Sequence, residues 1–68
     1  MTDLFALERK IVPYEQWDIC GAPKEAVRLA HEETDLHVPT GIVYDESLGW
    51  VVLQTSGQGP YIIWQENK

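Results

Sequence analysis

Residues 42–56, IVYDESLGWVVLQTS, decide the fold. Two apolar, β-branched runs, IVYD and WVVLQTS, flank the tetrapeptide ESLG, and a short polar connection with a glycine available for positive φ marks a β-hairpin. Downstream, GQGP at 57–60 supplies a second turn and YIIWQ at 61–65 a last strand. The C-terminal half is therefore expected to be an antiparallel meander.

Upstream, MTDLFALERK reads as a short amphipathic helix. Thr2 offers a cap, Asp3 places an anion in the first turn, and Leu4, Leu7 and Ile11 recur at helical spacing. Residues 11–19 read as extended, because Pro13 cannot sit inside a helix and disfavours helix at Val12. A proline also marks an edge strand or its start, which places Glu15 on an exposed edge. Gly21 then permits a sharp change of direction, and Pro23 suits the first turn of a second helix.

In that helix Ala26, Leu29 and Ala30 form one face, and Glu25, Arg28 and Glu32 another. Val27 lies about 200° from Leu29 at 3.6 residues per turn. Two arrangements satisfy this: a helix that borders a groove on its second side, or a Val27 packed against a loop. The element order is α-β-α-β-β-β. It predicts one α+β domain spanning 1–68, two short helices with a small antiparallel β-sheet of four strands.

Size and charge narrow the function. Eleven acidic residues oppose five basic ones among 68, a net charge of -6. Phosphate affinity depends on Lys and Arg displacing counterions, so direct nucleic-acid binding is disfavoured. The same charge speeds encounter with proteins that themselves bind nucleic acid, and it also serves plain solubility. No apolar run approaches the roughly 20 residues of a membrane span, and the charged N-terminus argues against export. Cys20 is the single cysteine, which fits a reducing cytoplasm and excludes an internal disulfide.

Chemistry is sparse. HEETDLH, residues 31–37, gathers imidazoles and carboxylates, but a zinc-protease helix needs His at i and i+4, and position 35 is Asp. A solvated helix end explains the cluster better. A Cys20–His pair is formally available for nucleophilic catalysis, yet one cysteine and two histidines make the coincidence cheap. Arg28 sits three residues from Glu25 and four from Glu32, the spacing of a helix-surface ion ladder. Glu15 has no such neighbour.

Seven short stretches, in order along the chain, carry a resemblance: MTDL, LERK, VPYE, P-K-E opening the second helix, YDES at 44–47, VVLQTS at 51–56 and the closing IIWQENK. Each is weak alone; their collinear order across nearly the whole chain resembles the small acidic uracil-DNA glycosylase inhibitors of bacteriophages. That resemblance implies two helices with a five-strand antiparallel sheet, so the joint expectation is four to five strands. It also implies a DNA mimic that inhibits a uracil-DNA glycosylase stoichiometrically, without cofactor, metal or catalysis. Glu15 would replace a backbone phosphate on the first strand edge, and Glu25 matches a second family glutamate. Ala26, Leu29, Ala30, Val52 and Ile63 would line an apolar pocket, between the second helix and the sheet, for the enzyme's minor-groove leucine. Its burial would contribute roughly 1.5 to 3 kcal/mol.

The chain departs from the family at Arg28, where an acid is expected, and at Gln54, where the pocket has an apolar residue. It is also shorter, and its spacing from Glu15 to Pro23 differs, which leaves Gln16 or Asp18 as carriers of part of the mimicry. The resulting expectation is a monomer when free, acting in the host cytoplasm if phage-encoded. The alternative is an acidic interaction module that binds another nucleic-acid enzyme, such as a nuclease or polymerase.

Overall fold

The computed structural model describes residues 3–55 and 59–67. The hairpin forms as expected. Strands β1 (Thr40–Asp45) and β2 (Gly49–Gln54) pair antiparallel, with Ile42 opposite Val52, Val43 opposite Val51 and Asp45 opposite Gly49. Side-chain chemistry closes the turn: the Asp45 carboxylate accepts from the backbone N–H groups of Ser47 and Leu48, both at 2.9 Å. Gly49 takes φ 75°, a conformation that costs glycine nothing. Strand β3 (Tyr61–Gln65) adds antiparallel to β2, with a register shift between Val52 and Leu53.

Among the described residues the sheet has three strands, in the order β1-β2-β3. The strand expected over residues 11–19 is replaced by something else. Only Val12 reaches the sheet, bridging to Ile42 with its N–H 2.8 Å from the Ile42 carbonyl. Beyond Pro13 the chain coils into a single-turn 3-10 helix, Tyr14–Gln16, and continues in tight turns to Ile19. The cause is tertiary. Coiling delivers Trp17 to the interior, where it is only 3 % exposed and its Nε1–H donates to the Val12 carbonyl at 2.9 Å. Burying an indole outweighs the local preference for an extended chain.

Helix α1 (Leu4–Glu8) is capped by Asp3, whose carboxylate accepts from Phe5 N–H at 3.0 Å and Ala6 N–H at 3.3 Å. Thr2, the expected cap, lies outside the described residues. Helix α2 (Lys24–Asp35) begins one residue later than expected, with Pro23 at its cap and Gly21 turning the chain at φ 92°. The two helices cover opposite faces of the sheet. Leu7 of α1 packs on Val43, Val51 and Leu53; Ala26 and Ala30 of α2 pack with Trp17 on Ile42 and Val52.

Val27 and Leu29 are both half-buried against that second cluster. Measured across the Ala26–Ala30 seam they stand about 160° apart. They therefore mark the two margins of one broad buried arc rather than two separate faces. Among the described residues, no helix is long and apolar enough to cross a membrane.

Candidate functional site

In a 3-10 helix, residues three apart eclipse one another. Tyr14 and Trp17 therefore share one side of the turn, and Glu15 and Asp18 another. Trp17 is buried and Tyr14 lies largely exposed over it, their rings 4.8 Å apart, and both meet the His31 ring of α2 edge-on at 5.4 and 5.2 Å. Glu15, Gln16 and Asp18 face solvent. Asp18 leans toward α2, its Oδ1 3.6 Å from His31 Nε2. Among the described residues this carboxylate–imidazole contact is the one pairing of an acidic and a basic side chain within 4 Å. Glu15 is thus an exposed carboxylate with no described Lys or Arg against it, as its sequence neighbourhood suggests, but it rides a helical turn and not a strand edge.

Glu25 is also exposed, with a different environment. It shares the outer stripe of α2 with Lys24, Arg28, Glu32 and Asp35, all exposed. Two cations among three carboxylates leave that stripe at −1, against −2 for the Glu15–Asp18 ridge. The expected ladder from Arg28 to Glu25 and Glu32 does not close to ion-pair distance.

The expected leucine pocket is not open. Ala26, Ala30 and Val52 are each 0 % exposed, sealed beneath Trp17, so none of them can meet a partner in this conformation. Two alanines on one helical seam leave a gap between α2 and the sheet, and the protein's own indole fills it. Leu29 and Ile63 remain at the margins, half-buried against the same cluster. Gln54, which replaces an apolar residue of the resembled family, accepts a hydrogen bond from the Tyr61 hydroxyl.

A shallow cavity of about 390 Å³, wide open to solvent, lies elsewhere, where the C-terminal end of α2 meets the 3-10 turn. Tyr14, Trp17 and Thr34 line it together with residues 37–40. Its floor is set by how α2 ends. Val38 N–H donates to the Glu33 carbonyl and His37 N–H to the Thr34 carbonyl, both at 2.9 Å, the paired bonds of a Schellman motif. Glycine usually holds the left-handed position of that motif, and here His37 takes it at φ 64°. Sequence reasoning weighs His37 for its imidazole, as a metal ligand or a partner for Cys20, and misses the cavity. The available signal is a helix pattern ending at Asp35 with no glycine to stop it.

His31 and His37 serve different surroundings, and no group of three metal-capable side chains occurs among the described residues. The Cys20 thiol donates to the Trp17 carbonyl at 3.3 Å, which ties it to the turn. Comparison with known protein families, with curated proteins and with solved structures finds no match.

Proposed function

We propose that this protein is a stoichiometric inhibitor of uracil-DNA glycosylase that offers carboxylates where the enzyme expects DNA phosphates. One observation carries the reading: the Glu15–Asp18 ridge presents exposed carboxylates on a turn anchored by a buried indole, with no described Lys or Arg within 4 Å. An anchored carboxylate loses little conformational freedom when it accepts charge-assisted hydrogen bonds from a cationic groove. The resemblance at VPYE points to the same glutamate. Gln16 and Asp18 extend the contact, and Glu25 contributes less because Lys24 and Arg28 flank it.

With the α2–sheet gap filled by Trp17, charge supplies most of the affinity. The complex is then expected to weaken steeply with salt, since exposed charges are screened over about 8 Å at physiological ionic strength. The test is cleavage of a uracil-containing oligonucleotide by purified glycosylase in the presence of excess protein. Inhibition saturating at one equivalent supports the reading, and undiminished cleavage refutes it. A second reading, an acidic module directed at a nuclease or polymerase, is favoured by the cavity beside the 3-10 turn, which the resemblance does not account for. Inhibition of such an enzyme, with the glycosylase unaffected, would identify it.

A further inference from the structure

We propose that the cavity at the end of α2 is a receptor for a single arginine side chain of a protein partner. Its two threonines point one way. The Thr34 hydroxyl donates to the Ala30 carbonyl and the Thr40 hydroxyl to the Val38 carbonyl, each at 2.9 Å. Both hydroxyl protons are spent, so what these residues retain for an occupant is oxygen lone pairs. A cavity that offers acceptors selects an occupant rich in donors, and guanidinium has five N–H donors and no acceptor.

Electrostatics agrees. No described Lys or Arg lines the cavity, the chain carries a net charge of -6, and the negative end of the twelve-residue α2 dipole terminates there. Shape distinguishes the two basic side chains. Tyr14 and His37 are aromatic, exposed and part of the lining, and a planar guanidinium stacks on such rings better than a compact ammonium does. His37 strengthens the case: a histidine holds a backbone conformation that glycine would hold without strain, which marks its side chain as the reason for its presence. In its neutral form the imidazole adds one more acceptor.

The proposal rests on the acidic-module reading only for the origin of the arginine, and its test needs no partner protein. N-acetyl-arginine amide, N-acetyl-lysine amide and N-acetyl-leucine amide are titrated separately into the protein at pH 8, followed by NMR. The arginine derivative should saturably shift the signals of Tyr14, Thr34, His37 and Thr40, with the lysine derivative weaker by roughly tenfold and the leucine derivative inert. His37→Gly should lower the arginine affinity by roughly fivefold while the protein stays folded, because glycine suits that backbone position. Tyr14→Leu, at an exposed site, should do the same through lost stacking. Equal shifts at remote Glu46, equal affinity for lysine, preference for leucine, or an unchanged affinity in both variants would each overturn the proposal. Failure of glycosylase inhibition alongside selective arginine binding would instead refute only the identity of the partner.

Discussion

Replacing Trp17 with alanine should remove a large share of the protein's stability. The indole is 3 % exposed and packs with Ala26, Ala30, Ile42 and Val52, which have no larger side chain that can collapse into its place. Core Trp→Ala substitutions cost about 3–5 kcal/mol. At about 0.05–0.15 kcal/mol per residue, a chain of 68 residues has only about 3–10 kcal/mol in total. The substitution also removes the donor to the Val12 carbonyl, loosening the one bridge that ties the N-terminal segment to β1. Trp17→Phe separates the two effects: most of the ring stays, the donor goes, and the expected loss is about 1–3 kcal/mol. Urea titrations followed by far-ultraviolet circular dichroism measure both, with the slope confirming that each variant unfolds from a native state. A Trp17→Ala protein within about 1 kcal/mol of the parent, at equal slope, would refute the reasoning, since that loss is far below the usual core cost. The gap between α2 and the sheet would then be free for a partner's side chain, as the resemblance implies.

In a glycosylase competition assay, Glu15→Gln should weaken binding by about 2–5 kcal/mol, felt mainly in dissociation. Glu46→Gln, on the exposed hairpin turn, should change little, and equal effects would dismiss Glu15 as the phosphate mimic. Glu66 is a poor control, because its Oε1 accepts from Trp50 N–H at 3.3 Å and its own N–H donates to the Trp50 carbonyl. Gly41→Ala should destabilise by about 1–3 kcal/mol, since a Cβ there would lie 2.6 Å from two carbons of Ile11; adding Ile11→Ala should restore part of the loss, and a neutral single substitution would show that Ile11 is not seated on Gly41. Asp45→Ala should cost about 1 kcal/mol through the two turn N–H groups it releases, read as a shift in thermal midpoint.

The hairpin is legible in the sequence because its determinants are local: two apolar, β-branched runs, an Asp at the turn and Gly49 at the position that needs positive φ. The buried seam of α2 is legible for the same reason, since periodicity places Ala26, Leu29 and Ala30 together. Residues 11–19 are not. Pro13 argues correctly against helix at that point, but the path of residues 14–19 depends on a gap left by two alanines in the next helix. Nothing within the segment announces it. The site inherits that error: Glu15 is exposed as expected, its backbone is misjudged, and Ala26, Ala30 and Val52, assigned to a pocket, lie sealed beneath Trp17. His37 shows the converse case, a residue noticed for its imidazole when its backbone angle is the informative property.

Among the described residues the sheet divides the interior into two compartments that share no side chain, Ile42 and Val52 on one side, Val43, Val51 and Leu53 on the other. The second compartment is roofed by a helix of five residues, too short to persist without its cap and its contacts. Lifting that roof leaves the α2 compartment intact, which makes it an excursion short of global unfolding. It bares an uncharged, β-branched stretch of β2 that neighbouring molecules can stack against. The protein's shelf life in concentrated solution is therefore governed by the latch that Asp3 provides, and an Asp3→Ala stock should cloud on storage well before its melting temperature gives any warning.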